Sequence, residues 1–163
     1  MNITIEPILA SDAEDIIDIF NYYTEHTFAA YTEHPISCDM FEPFFHSSRG
    51  YPALTARDES DNVVGFGMLR PFSAIPAFSR TAELTCFLRH GFTGKGIGST
   101  LLENLEDRGR EIGISSILAS ICSLNEESIG FHLRKGFREC GCFRGIGRKK
   151  GVTFDVMYFQ KMI

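Results

Sequence analysis

The chain has no long apolar run, and none of its segments approaches the roughly 18 residues that a membrane-spanning helix requires. Its opening segment, MNITIEPILASDAED, has neither a basic flank nor a sustained apolar stretch. These absences argue against a membrane span and against a secretory signal peptide. We therefore expect a cytoplasmic protein with no membrane partner.

Closely spaced metal-ligating residues are also scarce. The five cysteines, Cys38, Cys86, Cys122, Cys140 and Cys142, are scattered and odd in number, which is typical of reduced, mostly buried thiols. Only Cys140 and Cys142 stand close together, and no second Cys or His pair lies near them at metal-ligand spacing. The five histidines form neither HxxxH nor HExxH, so no metal site is expected.

The net charge of -5 conceals an uneven distribution along the chain. Residues 1–69 hold twelve acidic and two basic side chains, whereas residues 70–163 hold nine acidic and fourteen basic ones. An acidic first half argues against a partner that is a nucleic acid. The basic second half suits a small phosphorylated ligand, although a solvated surface has the same composition.

The patterns that are present indicate one domain over residues 1–163, of which 44% are hydrophobic and 23% charged. Periodicity predicts strands at 3–5, 53–57, 63–69, 81–88, 116–121, 137–146 and 152–160, and helices at 12–23, 37–47, 97–112 and 126–135. Ser11 and Glu14 are interpreted as a capping box for the first helix. The economical architecture is an α+β fold with a mixed, mostly antiparallel sheet flanked by helices.

The most informative segment is a run of glycines between a predicted strand and a strong helix. Residues 93–99, Thr-Gly-Lys-Gly-Ile-Gly-Ser, place three alternating glycines where backbone amides can approach a ligand closely. The helix N-terminus adds about half a positive charge, so the segment favours a pyrophosphate site. It is not a Walker A loop, because Arg89 stands where that loop needs its first glycine and Gly96 stands where it needs a Ser or Thr after the lysine. Nor is it the GxGxxG fingerprint, because Ser99 replaces the last glycine.

This loop resembles the acetyl-CoA loop of the GNAT family of N-acetyltransferases, Gln/Arg-x-x-Gly-x-Gly/Ala at the start of a long helix. Gly96 and Gly98 match its two glycines, and Thr93 replaces the usual Gln or Arg. Residues 125–137 are similar to the family's Asn-x-x-Ser…Tyr-x-x-x-Gly-Phe segment, with His132 at the tyrosine position. The resemblance implies the family's fold, acetyl-CoA as co-substrate, and acetyl transfer to an amine.

Within that family, the sequence is most similar to the phosphinothricin and methionine sulfoximine acetyltransferases. Their histidine at the tyrosine position is matched by His132, and their Thr-x-Glu-x-Ser-x-Tyr-Val strand by residues 81–88. Their C-terminal motif resembles residues 147–161, with Phe154 in place of a tryptophan. Homodimers are common in this subgroup, so a homodimer that contacts through the two C-terminal strands is expected.

The resemblance assigns roles to particular residues. Glu83 is the expected general base, directly or through a water, and His132 is expected to protonate the leaving thiolate or to hydrogen-bond the co-substrate. The expected acetyl-CoA contacts are the backbone of Cys86, Phe87 and Leu88, the loop residues Thr93, Gly94, Lys95, Gly96, Ile97, Gly98 and Ser99, and the side chains of Asn125 and Ser128. The alternatives are a Glu83 that pairs with an arginine, a structural His132 and a helix-capping Asn125. An acyl-enzyme on Cys86 is disfavoured, because the sequence places no histidine or acid partner beside it.

The acceptor pocket departs from the subgroup's pattern. An arginine and a tyrosine of that pocket are replaced by Ile75 and Phe78. The expected substrate contacts are Arg70, Phe72, Ile75, Phe78 and Arg80. A buried carboxylate needs a charged or hydrogen-bonded partner. We therefore expect either weak activity on zwitterionic amino acids, with a less polar amine preferred, or rescue by Arg70 or Arg80.

Three functions fit these features. The first is an acetyl-CoA-dependent N-acetyltransferase that acts by direct transfer on the amine of a small amino-acid-like molecule. The second is the same chemistry on a protein N-terminus or another amine, and the third is a non-catalytic acyl-CoA-binding module. The intact glycine loop together with Glu83 favours catalysis over the third.

Overall fold

The computed structural model describes residues 2–46 and 48–163, which form a central sheet with helices on both faces. The helices are α1 (Ala13–His26), α2 (Phe41–His46), α3 (Ile97–Glu111) and α4 (Glu126–Arg134), and the strands are β1 (Thr4–Pro7), β2 (Ala53–Arg57), β3 (Val63–Pro71), β4 (Thr81–Leu88), β5 (Ser116–Cys122), β6 (Arg138–Lys149) and β7 (Val152–Met162). Short 3-10 turns lie at Ala10–Asp12, Cys38–Met40 and Pro76–Phe78. Among the described helices, none is both long and apolar enough to cross a membrane.

The sheet follows the strand order β1-β2-β3-β4-β5-β7-β6. β4 and β5 are parallel neighbours, and the other neighbouring pairs in the described chain are antiparallel. A parallel pair needs a crossover connection, which α3 supplies between β4 and β5. The predicted α+β fold with a mostly antiparallel sheet is confirmed.

The two faces of the sheet carry different helices. Leu101 and Leu105 of α3 are fully buried in one cluster with Leu69 of β3. Phe20 of α1 lies in a second cluster with Phe66 of β3. Because successive side chains of a strand point to opposite faces, Phe66 and Leu69 place α1 and α3 on opposite sides of β3. A ligand that passes through the sheet can therefore contact α3 on one side and α1 on the other.

The beginning of α1 differs from the sequence prediction. The Asp12 carboxylate, and not Ser11, accepts the backbone N–H of Leu9 at 2.9 Å, and it also pairs with Arg57 at 2.5 Å. Asp12 thus caps the short turn that precedes α1, and the predicted capping box of Ser11 and Glu14 is wrong. An ion pair to a residue 45 positions away in the chain outweighs the local signal.

Other helices, strands and turns begin or end at residues that differ from the predicted ones, for local reasons. Pro7 lies within β1 rather than ending it, which an edge strand tolerates. The predicted helix over 37–47 is a 3-10 turn followed by α2, and residue 47 lies outside the described residues. The β6–β7 turn is shorter than expected, because Lys150 (φ +50°) and Gly151 (φ +78°) alone connect the strands. The cysteines are all free, but Cys38 and Cys140 are exposed, Cys86 and Cys142 are half-buried and Cys122 alone is fully buried, so the expectation of mostly buried thiols is wrong.

Candidate active site

A split between β4 and β5 opens the sheet. Their pairing runs from Thr81 opposite Ser116 to Glu83 opposite Leu118 and goes no further, although both strands continue. Beyond that point the two strands separate and form the walls of a cleft of about 620 Å³. Its lining includes Leu84, Thr85, Cys86, Phe87 and Leu88 of β4, Ala119, Ser120, Ile121 and Cys122 of β5, and residues of α1, α4 and the glycine loop.

Alternate residues of β4 present their backbone polar groups to this cleft. The Arg89 N–H donates to the Val64 carbonyl at 2.8 Å, and the Phe72 N–H donates to Thr81 at 3.2 Å, which fixes the hydrogen-bonded pairs of the β3–β4 ladder. Backbone groups alternate sides along a strand, so the N–H groups of Cys86 and Leu88 point away from β3 and toward the split. Of the three predicted backbone contacts, these two have the required direction, whereas the backbone of Phe87 faces β3.

Tyr23 of α1 also contacts this edge of β4, and sequence reasoning missed it. Its hydroxyl donates to the Leu88 carbonyl at 2.6 Å and lines the cleft. Burial, chiefly, raises the pKa of Tyr23 to about 12, so the hydroxyl stays protonated and remains a donor at neutral pH. The bond joins residues 65 positions apart, and the helical spacing of α1 alone gave no signal for it.

The glycine loop meets the cleft at the start of α3. Gly94 (φ +73°) and Gly96 (φ +84°) are both left-handed, a conformation that other residues adopt only at a cost. Gly96 is the N-cap of α3 and supplies no side-chain hydrogen bond, so the first-turn amides are free of a side-chain cap. Of the predicted loop contacts, Thr93, Gly94, Gly96, Gly98 and Ser99 line the cleft. Lys95 lies over the Phe92 ring, and Ile97 is buried in the core.

This loop geometry predicts the effect of substituting Gly96. We expect Gly96→Val to weaken acetyl-CoA binding about 10-fold or more, because a branched side chain strains the left-handed backbone and blocks its approach to a phosphate. Calorimetric titration with acetyl-CoA measures the effect. Gly113→Val is the matched control, since Gly113 (φ +88°) has the same backbone strain at the far end of α3. Equal affinities for the two variants would contradict the site.

The described geometry also defines the state of His132. Its ring is buried on α4, lines the cleft, and places Nδ1 2.8 Å from the Ser128 carbonyl oxygen. A carbonyl only accepts, so Nδ1 carries the proton and Nε2 of the neutral ring has a free lone pair. Burial lowers the pKa of His132 below the value of an exposed imidazole. Among the two expected roles, this state favours hydrogen bonding to the co-substrate over protonation of a thiolate.

The lowered pKa of His132 has a consequence for stability. As the pH falls below about 6.5, the unfolded chain binds a proton at this position that the folded chain refuses, so the free energy of unfolding decreases. We expect His132→Phe to remove this component of acid destabilisation in urea melts between pH 7 and pH 5. The exposed His34 provides the control, His34→Phe, which should keep the parent slope. A parent slope retained in His132→Phe would argue against the buried, neutral ring.

Asn125 and Ser128 lie beside His132 at the start of α4. The Asn125 Oδ1 accepts the Ser128 N–H at 3.2 Å, so Asn125 caps α4, which is the alternative role given to it above. Its Nδ2 remains a donor at the cleft wall. Arg134 and Lys135, at the other end of α4, also line the cleft. Lys135 pairs with Glu103 at 3.2 Å, which joins the end of α4 to α3. These two basic residues were not singled out from the sequence.

Glu83 pairs with Arg70 at the acceptor side of the cleft. The two residues are opposite each other in the β3–β4 ladder, and Arg70 Nε donates to Glu83 Oε2 at 3.1 Å. Arg70 lines the cleft, whereas Glu83 is not among the lining residues and its Oε1 makes no hydrogen bond to the described protein groups. Glu83 therefore pairs with an arginine, which is the alternative that the sequence analysis gave beside its role as a base. The pairing leaves both Nη groups of Arg70 available to a ligand.

Aromatic side chains form the rest of the acceptor side. Phe20, Tyr23, Tyr31, Phe44 and Phe87 line the cleft on the α1 side of the sheet. The other residues expected to contact the acceptor do not line it. Phe72, Ile75, Phe78 and Arg80 are exposed on the β3–β4 connection, and Phe72 packs edge-on against Phe78. Of the two arginines considered as replacements, only Arg70 reaches the cleft.

Cys86 is a poor nucleophile in this setting. Burial raises the pKa of its thiol to about 12, so the thiolate is essentially absent at neutral pH. No hydrogen bond joins it to a histidine or a carboxylate among the described residues. This geometry favours direct transfer over an acyl-enzyme.

Parallel strands that separate beside a glycine-rich helix start fit the acyl-CoA site of an acyltransferase, which is the class that the resemblance in the sequence implies. The model of the Acetyltransferase (GNAT) family matches residues 16–137. The chain belongs to this family and is an acetyl-CoA-dependent N-acetyltransferase. The resemblance noted in the sequence is confirmed.

Individual relatives agree with this assignment. A phosphinothricin N-acetyltransferase of Streptomyces coelicolor is 30% identical over 98% of this chain and 95% of its own length. A phosphinothricin acetyltransferase of Sinorhizobium meliloti, solved with acetyl-CoA, superposes with a TM-score of 0.93 at 29% identity over 100% of this chain and 89% of that one. A ribosomal-protein-alanine N-acetyltransferase of Brucella melitensis has a TM-score of 0.91 at 30% identity, over 98% and 99% of the two chains.

Proposed function

We propose that the protein transfers the acetyl group of acetyl-CoA directly to the primary amine of a small amino-acid-like molecule. The observation that carries this proposal is Arg70, which Glu83 holds by Nε at the acceptor side of the cleft. A guanidinium with two free Nη groups suits a carboxylate. The similarity to a phosphinothricin N-acetyltransferase gives the same acceptor class independent support.

The acceptor is bound between a charged and an aromatic wall. Arg70 binds its carboxylate, and the rings of Phe20, Phe44 and Phe87 contact its apolar part. The replacement of the subgroup's pocket arginine by Ile75 on the β3–β4 connection is thereby compensated by an arginine from β3 itself. Since Ile75 and Phe78 are exposed outside the cleft, they take no part in this binding.

The co-substrate lies in the split of the sheet. The first-turn amides of α3 and the loop glycines bind its pyrophosphate, and the Asn125 Nδ2 and His132 Nε2 hydrogen-bond its amide-rich arm. The N–H groups of Cys86 and Leu88 face the thioester and stabilise the negative charge that develops on its carbonyl oxygen.

Proton transfer starts at Glu83. An amine attacks only when neutral, and Glu83 Oε1 removes the ammonium proton through a water, because Glu83 pairs with Arg70 and does not itself line the cleft. The nitrogen then bonds to the thioester carbon, the C–S bond breaks, and the second proton of the attacking nitrogen ends on the sulfur. The products are the N-acetylated acceptor and free CoA.

An amine panel tests this function, with release of the free CoA thiol as the readout. We expect phosphinothricin, methionine sulfone and related amino acids to be acetylated faster than a peptide that bears an N-terminal alanine. The ribosomal-protein-alanine acetyltransferase of similar structure makes that peptide the second candidate acceptor. Preference for the peptide would overturn the small-molecule proposal, and acetyl-CoA binding without turnover on any amine would indicate a binding module.

A further inference from the structure

Lys149 is a buried lysine that none of these steps uses. It lies at the end of β6, and its relative exposure is 0%. Its ammonium donates to two backbone carbonyls, those of Thr27 and Ala30, each at 2.7 Å. No carboxylate forms a salt bridge with it in the described part of the chain. Among the described residues, the hydrogen-bond partners of this buried charge are thus two carbonyls of one short loop.

That loop, residues 27–33, follows α1 and forms part of the cleft wall. Ala29, Ala30, Tyr31 and Thr32 all line the cleft. Because the loop continues from α1, it lies on the acceptor side of the sheet, opposite the side on which α3 and the glycine loop bind the co-substrate. Its conformation determines the shape of the site that receives the amine.

Further contacts join the β6–β7 hairpin to this loop and to the end of α1 that precedes it. The Lys150 backbone N–H donates to Glu33 at 2.8 Å, and the Lys150 ammonium contacts the Glu25 carbonyl. Tyr31 stacks on Phe154 of β7 with ring centroids 5.8 Å apart and an interplanar angle of 15°. The tip of the β6–β7 hairpin therefore holds loop 27–33 at several points, and Lys149 is the innermost of them.

Burying an ammonium group raises the free energy of the folded state unless its N–H donors have hydrogen-bond acceptors. Burial and the neighbouring Lys150 lower the pKa of Lys149, and the more distant Glu33 carboxylate only partly offsets this effect. A methionine would fill the same space without that cost, but it would leave the Thr27 and Ala30 carbonyls without a donor and the loop without its central support.

We propose that Lys149 is a positioning residue for the acceptor: by bonding the Thr27 and Ala30 carbonyls it fixes the loop that closes the acceptor side of the cleft. The proposal rests on the proposed function for the identity of the acceptor. The part of the proposal that concerns the order of the loop is independent of the proposed function, because that order can be measured in the absence of any substrate.

Lys149→Met tests the proposal, with Arg148→Met as its matched control. Arg148 is the exposed neighbour in the same strand, so its substitution removes the same charge without touching the loop. For Lys149→Met we expect KM for the best acceptor of the panel to rise about 10-fold, while the Kd of acetyl-CoA stays within 2-fold. Hydrogen exchange of residues 27–33 should become faster. Arg148→Met should change none of these.

Glu33→Ala keeps the proposal testable if Lys149→Met does not fold. It removes the exposed acceptor of the Lys150 N–H, and we expect it to raise the acceptor KM and the exchange of the loop in the same direction, by a smaller factor. A Lys149→Met protein that melts earlier but keeps the parent acceptor KM and parent loop exchange would overturn the proposal. Failure of the proposed function is separate, since it appears in the parent protein itself, as preference for the peptide or as absent turnover on every amine.

Discussion

Glu83→Gln is expected to lower kcat by about 10²- to 10⁴-fold, the contribution typical of a general base. The loss should be equal for an amino acid and for its decarboxylated amine, because both must lose an ammonium proton before they attack. The amide oxygen of glutamine can still accept the Arg70 Nε hydrogen bond. Binding of acetyl-CoA, on the opposite side of the sheet, should stay nearly constant. Steady-state kinetics at neutral pH and calorimetry measure the two effects.

The contact with Arg70 supplies the competing interpretation of Glu83. If Glu83 only orients Arg70, then Glu83→Gln should leave kcat near the parent value for both acceptors, and Glu83→Ala, which removes the hydrogen bond, should raise KM only for the acceptor that carries a carboxylate. The two variants, measured on both acceptors, therefore separate a base from a positioning group. A pH profile adds a second readout, since loss of a base removes the acidic limb of kcat/KM and loss of orientation does not.

Local patterns predicted the framework that holds these groups. The glycine run, the spacing of Leu101 and Leu105, and the stop at Gly113 depend on neighbours within one or two turns, and α3 has nearly the predicted bounds. β4 agrees with its predicted range residue for residue. The glycine loop could be assigned to a phosphate because both its backbone conformation and its helix dipole are local properties.

The remaining parts of the site depend on contacts that no local pattern carries. The split of β4 from β5 depends on how many residues of the two strands pair. The hydrogen bond from Tyr23 to the Leu88 carbonyl joins α1 to β4. The bonds of Lys149 to Thr27 and Ala30 span about three quarters of the chain. The sequence shows a lysine near a turn, which is ordinarily an exposed residue, and only the tertiary structure shows that it is buried.

The acceptor residues illustrate a limit of reasoning from a resemblance. Ile75 and Phe78 match the positions of two pocket residues along the chain, yet both are exposed on the connection after β3. Arg70 comes from β3 itself, and the register that places it opposite Glu83 determines its direction. The sequence left the choice between Arg70 and Arg80 open, and strand pairing places Arg70 alone of these two at the cleft.

Arg70→Ala is expected to reverse the preference of the enzyme between paired acceptors. For an amino acid, kcat/KM should fall about 10- to 100-fold, since a hydrogen-bonded charged partner contributes roughly 1.5–3 kcal/mol. For the decarboxylated amine, which has no anion for Arg70 to bind, the change should remain within a few-fold. The panel consists of methionine sulfone, phosphinothricin and their decarboxylated counterparts, each scored by kcat/KM.

Arg80→Ala is the matched control, because it removes the same side chain from an exposed position outside the cleft. It should leave both members of each pair near the parent values. If instead the parent prefers the amino acids by 100-fold or more and Arg70→Ala keeps that margin, another group binds the carboxylate and the role given to Arg70 is wrong. If the parent prefers the decarboxylated amines, the aromatic wall of Phe20, Phe44 and Phe87 dominates recognition, and the natural acceptor is a less polar amine. Arg70→Lys refines the outcome, since a lysine keeps the charge but loses the paired Nη donors that a carboxylate can bind together.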